Sequence, residues 1–120
     1  MRWTGRVALV AAAFDGAKAH WRPLYDRLVA LVQGFGGDVE LAPKKGYVSL
    51  RRKKQFALLQ PSTKDRFDIG LALKGEESIG KLEAAGSWNA MVSHRIRIAA
   101  GEDAGVDVAD WLCAAYDRAG

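Results

Sequence analysis

The sequence has very few of the residues that build metal sites, disulfides and nucleophilic centres. It contains one cysteine, Cys113, and two histidines, His20 and His94, in 120 residues. A single cysteine excludes an internal disulfide, which is typical of a reducing cytoplasm. Cys113 lies in a helical pattern between Leu112 and Ala114, which indicates a packing role rather than a catalytic one. With no second cysteine and no histidine cluster, we expect neither a metal site nor a bound cofactor.

Catalytic motifs are equally scarce. No serine lies in a nucleophile-type motif, and the two histidines are far apart in the sequence. Gly34, Gly36 and Gly37 follow a predicted helix and precede a predicted strand, which is the reverse of a dinucleotide-binding loop. Asp68 and His94 would need a common sheet face to act as an acid–base pair, and strand alternation puts them on opposite faces. The sequence therefore favours a non-enzymatic protein.

Long apolar runs are absent as well. The longest, Val7–Phe14, is far short of the ~20 residues that a membrane-spanning helix needs. We therefore expect no membrane partner and a cytoplasmic location. Hydrophobic residues make up 49% of the chain and charged residues 27%, which is the balance of one soluble domain.

Five strands are predicted from the period-two alternation of apolar residues. Short turns at Pro43–Gly46 and Pro61–Asp65 join some of them, and strands joined by such short turns must be antiparallel neighbours. The five predicted strands are Asp38–Ala42, Tyr47–Leu50, Gln55–Leu59, Arg66–Lys74 and His94–Ile98.

A helix is predicted at each end of these strands. Apolar residues recur three and four positions apart from Trp21 to Phe35, and the firm part begins around Arg22, because Pro23 is tolerated only near a helix start. Asp107 is predicted to cap the closing helix, whose apolar stripe is Val108, Trp111, Leu112, Ala115 and Tyr116.

The longest connection, Gly75–Ser93, separates the fourth and fifth strands. We expect one or two helical turns at Glu77–Ala85, and packing of Trp88 and Met91 over the sheet edge. The order of elements predicts an α+β fold, with a five-stranded, mainly antiparallel sheet and the N- and C-terminal helices packed on one face. Its core is predicted to centre on Phe56, Phe67, Ile69, Leu71 and Ile96 together with Leu28 and Leu112.

The stretch Tyr47–Gln60 is the most informative part of the chain. Alternation on both sides of Arg51–Lys54 predicts a β-hairpin with a four-cation tip in water. From Lys44 to Arg66 there are eight basic residues and one acid, Asp65, although the whole chain carries only +4. Such a local positive field suits a polyanionic partner, or solubility alone. The side chains of this hairpin that we expect to point inward are Val48, Leu50, Phe56 and Leu58.

The other face of the predicted sheet is polar. It is expected to carry Tyr47, Ser49, Arg51, Gln55, Arg66, Asp68, Arg95 and Arg97. Arginines around a tyrosine suit phosphates and a stacked base. Asp68 and Glu40 offer the simpler alternative, in which acids on this face pair with the arginines. The candidate ligand-binding residues are Tyr47, Arg51, Arg52, Lys53, Lys54, Arg66, Asp68, Arg95 and Arg97.

The segments YVSLRRKKQFALLQP, RFDIGL, SHRIRI and WLCAAYDRA resemble an uncharacterised bacterial family, the domain of unknown function "fifty-six fifty-five". FDGAKAHWRPLYDRL resembles the junction at which that domain follows a small helical domain. The resemblance implies one α+β domain at residues 17–120, and a leader or remnant of the upstream domain at residues 1–16. More distantly, the family is similar to YdhG-like and MmcQ-like α+β domains, some of which have been called double-wing DNA-binding folds. It has no agreed catalytic residues.

Two functions from different classes remain at this point. The first is a binding module for nucleic acid or another phosphate-bearing ligand, through the basic hairpin and the polar sheet face. The second is a protein-interaction or accessory domain whose basic patch serves solubility, with charges that protect an edge strand from aggregation.

Overall fold

The computed structural model of the protein describes residues 14, 16–44, 46–76, 82–85, 92–99 and 106–119. A 3-10 helix at Gly16–Trp21 leads into α1 at Arg22–Gln33, and α2 occupies Val106–Ala119. The strands are β1 Glu40–Lys44, β2 Tyr47–Arg51, β3 Gln55–Thr63, β4 Arg66–Leu71, β5 Glu83–Ala84 and β6 His94–Ala99. The predicted α+β class is confirmed.

The strands form a single six-stranded sheet in the order β1-β2-β3-β4-β6-β5, and every neighbouring pair is antiparallel. The prediction of five strands is wrong, because Glu83–Ala84 pairs with β6. A strand of two residues shows no alternation, which is why its sequence did not indicate it. The prediction of helical turns at Glu77–Ala85 is wrong for residues 82–85, which are not helical; positions 77–81 lie outside the described residues. Trp88 and Met91 lie outside the described residues.

The β1–β2 hairpin turn is tighter than predicted. β1 continues through Pro43 to Lys44, which lies opposite Tyr47, so only two positions separate the paired ends of the two strands. Gly46 has φ +88°, a backbone conformation that favours glycine. Pro43 is tolerated within β1 because this strand is an edge of the sheet, where a proline can turn its ring nitrogen away from the neighbouring strand.

β3 is longer than predicted and contains Pro61. Beyond Leu59 it pairs only with β4, so Pro61 lies where β3 has one neighbour rather than two. The register between β3 and β4 shifts between Pro61 and Thr63. The missing N–H of this proline therefore does not interrupt a ladder on both sides of the strand.

Both helices contribute to one hydrophobic core with the inward-facing residues of the strands. α1 supplies Leu24, Leu28 and Val32, and α2 supplies Leu112 and Ala115. All seven residues predicted at the centre of the core belong to it. α2 begins at Val106, so Asp107 lies in its first turn rather than at the cap. No helix in the described part of the chain is long and apolar enough to cross a membrane.

Leu58 faces the opposite side of the sheet from the one predicted. Arg51 lies opposite Gln55 and Leu50 lies opposite Ala57, so Phe56 is the extra residue of a β-bulge. The bulge places both Phe56 and Ala57 in the main core. Leu58 then packs in a second cluster on the other face, which also contains Ala85, Val92 and Tyr47. We call this face the outer face.

Candidate functional site

Arg66 and Asp68 form an ion pair on the outer face, with Nε 3.1 Å from Oδ2. Asp68 is fully buried, and Ser62 Oγ donates to the same carboxylate oxygen. The second oxygen, Oδ1, has no hydrogen-bond partner among the residues that the structure describes. Arg66 therefore balances a buried charge within the fold, which is a structural role as much as a surface charge.

Arg95 and Arg97 share the carboxylate of Glu83. Arg95 Nε lies 3.2 Å from Glu83 Oε1, and Arg97 Nε lies 2.7 Å from the same oxygen. Glu83 lies opposite Arg95 in the β5–β6 pair. The sequence missed this contact because it did not indicate β5. Glu40, the other acid predicted on this face, lies opposite Arg51 at the far edge of the sheet.

Tyr47, Ser49 and Gln55 are engaged in packing or hydrogen bonding rather than presented to solvent. Tyr47 is partly buried against the second cluster with Leu58. Ser49 is buried, and its Oγ lies 2.5 Å from Gln55 Oε1. Arg51 is half-buried at the end of β2. A base that stacked on Tyr47 would therefore meet a ring that already packs against this cluster.

Arg52 lies in the β2–β3 turn and forms hydrogen bonds with Asp38, in the loop after α1, and with Tyr116 in α2. Its Nε donates to Asp38 Oδ2 at 2.7 Å, and its Nη1 donates to the Tyr116 carbonyl at 3.1 Å. Its guanidinium carbon lies 4.1 Å from the centre of the Tyr116 ring, a cation–π contact. Tyr116 Oη donates to Asp38 Oδ1 at 2.5 Å. We call these three residues the turn clamp.

The turn clamp shifts the pKa values of its members. The hydrogen bond from Tyr116, and then that from Arg52, lowers the pKa of the Asp38 carboxyl below its usual value. The same hydrogen bond to Asp38, followed by burial, raises the pKa of the Tyr116 hydroxyl. At neutral pH the clamp therefore holds an ionised Asp38 and a protonated Tyr116.

Lys53 and Lys54 complete the β2–β3 turn and are exposed. Neither ammonium group has an ion-pair or hydrogen-bond partner within the described ranges. Lys54 also lines a cavity of about 570 Å³, together with Lys74 after β4 and Arg118 in the last turn of α2. The turn therefore presents unneutralised lysines beside a concave surface.

His94 is a buried, hydrogen-bonded histidine at the start of β6. Its Nδ1 lies 2.8 Å from Ser93 Oγ, and its Nε2 lies 3.0 Å from the Glu76 carbonyl. The part of the chain that the structure describes holds no group of three or more His, Cys, Asp or Glu side chains that could bind a metal.

The comparison with protein families agrees with the resemblance seen in the sequence. The family model described as "Domain of unknown function (DUF5655)" matches residues 10–119. The chain belongs to the DUF5655 family. No curated protein and no solved structure matches it. The predicted family membership is thus confirmed, while the more distant likeness of DUF5655 to YdhG-like and MmcQ-like domains stays a prediction.

Proposed function

We propose that this DUF5655 domain is a non-enzymatic binding module for phosphate-bearing ligands, nucleic acid among them, and that the β2–β3 turn is its main contact surface. One contrast carries the proposal. Lys53 and Lys54 in the turn have no acidic partner among the described residues. By contrast, the arginines of β4 and β6 that were predicted on the outer face are each paired with a carboxylate.

The cost of binding favours the turn over the outer face. A phosphate that contacted Arg97 would compete with Glu83, whose carboxylate lies 2.7 Å away. One that contacted Arg66 would weaken the pairing of the buried Asp68. An ammonium group without a partner breaks no internal ion pair when it meets a phosphate, and each such contact releases a counterion.

Fluorescence anisotropy with a labelled short single-stranded oligonucleotide, at several salt concentrations, tests the proposal. Lys53→Ala and Lys54→Ala should each weaken binding and flatten the salt dependence by about one counterion. Arg97→Ala should bind like the unchanged protein. Loss of affinity in Arg97→Ala with no change in the lysine variants would move the contact to the outer face.

Lys64→Ala is the matched control. Lys64 is also an exposed lysine in a turn, and its ammonium group has no partner within the described ranges. It follows the far end of β3, a strand of nine residues and thus about 30 Å long. If Lys64→Ala weakens binding as much as Lys53→Ala, the interaction reports net charge and no particular surface binds the oligonucleotide.

The ion pairs themselves favour a second candidate, a protein-interaction or accessory domain whose basic patch serves solubility. Four arginines are paired with carboxylates of the same chain, which leaves a smaller positive surface than the sequence suggests. They are Arg52, Arg66, Arg95 and Arg97. If this second candidate is correct, the oligonucleotide binds only weakly, and low concentrations of salt abolish the binding. Lys53→Ala and Lys54→Ala would then lower solubility without any change in affinity.

A further inference from the structure

Three cations from distant parts of the chain converge on the cavity beside the β2–β3 turn. Lys54 comes from the turn itself, Lys74 from the segment after β4, and Arg118 from the last turn of α2. Like charges around one concavity repel each other unless an anion neutralises them. Of these three side chains, only Arg118 has an acidic partner in the described part of the chain, and that partner is Glu76.

We infer that this cavity binds a small molecule that carries one phosphate group, a phosphomonoester. Charge matching supports the choice of phosphate. Three cations less the charge of Glu76 leave about two positive charges, and a phosphomonoester carries about −1.5 to −2 at neutral pH. A single carboxylate would leave one cation uncompensated. The inference rests on the proposed function, because Lys54 belongs to both surfaces.

The size and lining of the cavity indicate room for more than the phosphate. Small-molecule sites commonly enclose about 300–1,000 Å³, and this cavity is about 570 Å³. Its remaining lining combines the half-buried Ser93 and Gln55 with alanines and the buried Phe56 and Val92. A compact organic body with hydroxyl groups fits this mixture of polar and apolar surface.

Arg118 is held in place before any ligand arrives. Its Nη1 donates to the Lys74 carbonyl at 2.8 Å, and its Nη2 donates to Glu76 Oε1 at 2.5 Å. Gly75 between these partners has φ +94°, which allows the tight turn that both contacts need. A guanidinium has five N–H donors, so others remain for a phosphate, and Lys54 and Lys74 supply the positive charge that Glu76 removes from Arg118. A positioned donor lowers the entropic cost of binding.

α2 ends beside the cavity, and the carbonyl end of a helix carries partial negative charge. An anion is therefore bound only if the cations outweigh this end of the helix. Removal of one cation should weaken binding strongly. We expect Lys74→Ala and Lys54→Ala each to lower the affinity for a phosphomonoester about ten-fold, which corresponds to 1.4 kcal/mol.

Titration of the isotope-labelled protein with ribose 5-phosphate, followed by amide NMR shifts, tests the inference. Saturable shifts are expected at Ala72, Ser93 and Lys74, with ribose as the ligand that lacks the phosphate and should cause none. Binding should weaken between pH 7.5 and pH 5, because the second pKa of a phosphomonoester is about 6. Lys53 is not among the cavity residues, so Lys53→Ala should bind ribose 5-phosphate normally.

Lys53→Ala also separates this inference from the proposed function. It should weaken oligonucleotide binding and leave ribose 5-phosphate binding unaffected, whereas Lys74→Ala should weaken ribose 5-phosphate binding. Lys74 is exposed and its ammonium group has no partner among the described residues, so the fold should tolerate its removal. The inference is overturned if no saturable shift appears up to about 10 mM ribose 5-phosphate, or if Lys74→Ala leaves the shifts unchanged. Oligonucleotide binding that persists in that case leaves the proposed function standing.

Discussion

The guanidinium of Arg52 stacks on the Tyr116 ring, with its central carbon 4.1 Å from the ring centre. This contact joins the β2–β3 turn to α2, and the ion pair of Arg52 with Asp38 joins both to the loop after α1. A residue in the middle of the basic turn is therefore part of the tertiary structure. Of the three cations in the β2–β3 turn, Arg52–Lys54, the two lysines are the ones left for a ligand.

Gly36→Ala should destabilise the turn clamp. A Cβ at Gly36 would lie 2.9 Å from Asp38 Oδ1 and closer still to Tyr116 Oη, so the hydroxyl would have to move. We expect a loss of about 1–3 kcal/mol in the free energy of unfolding, as for other overpacked sites. Urea denaturation measures it. Gly37→Ala is the control, because nothing lies within 4 Å of its added Cβ, and an equal loss there would contradict the explanation.

The turn clamp should also make stability depend on pH in two ranges. The lowered pKa of Asp38 stabilises the fold above the usual carboxyl pKa of about 3.9, and this contribution is lost as pH falls through the lowered value. The raised pKa of Tyr116 contributes below the usual value of about 10, and this contribution is lost as pH rises through the raised value.

Tyr116→Phe should reduce both effects, because it removes the hydroxyl and the hydrogen bond that lowers the pKa of Asp38. Denaturation midpoints at pH 3, 7 and 10.5 would show a flatter profile than the unchanged protein. Stability should still fall somewhat at alkaline pH in this variant, since burial also raises the pKa of Tyr25. An unaltered profile in Tyr116→Phe would mean that other groups set the pH dependence.

Gly70→Ala should disturb the second cluster on the outer face. Its Cβ would lie 2.9 Å from Leu58 Cγ and 3.1 Å from both methyl groups of Val92. We expect a loss of about 1–3 kcal/mol from this overpacking. In a double-mutant cycle, Val92→Ala should relieve part of the cost of Gly70→Ala. Strictly additive losses would show that the two side chains do not compete for this space.

Arg66→Ala should cost more stability than Arg97→Ala. Removal of Arg66 leaves the buried Asp68 without its ion-pair partner, a loss of about 1–3 kcal/mol. Removal of Arg97 leaves Glu83 with Arg95 and with partial access to water, so about 0–1 kcal/mol is expected. Chemical denaturation of both variants measures the difference. Equal losses would mean that Asp68 is stabilised by its other contacts.

The sequence predicts best what depends on neighbouring positions. Alternation located β2, β4 and β6, and the apolar stripe located α1, because each pattern depends on residues a few positions apart. The bulge at Phe56 depends on the partner strand and leaves no local pattern. A prediction that continued the alternation through Phe56 therefore put Leu58 on the wrong face. The pairing of Arg97 with Glu83 depends on β5, whose two residues are too short for any period.

In the candidate site, too, the sequence predicts the features set by neighbouring positions and misses those set by distant residues. The cationic turn is evident from four consecutive basic residues at Arg51–Lys54. Which of these charges are already used is set by Asp38 and Tyr116, which are distant in the sequence. The cavity is equally hidden, because it joins residues near positions 54, 74 and 118. No local pattern reports such a convergence.

The position of Pro43 bears on how copies of this domain behave at high concentration. β1 is an outer strand of the sheet, and an uncovered strand edge is a template on which a second chain can add a strand of its own. A proline offers no N–H to such an incoming strand, and the exposed Lys44 beside it adds a charge that an incoming strand would have to bury. This edge is therefore poorly suited to continue the sheet from one molecule into the next.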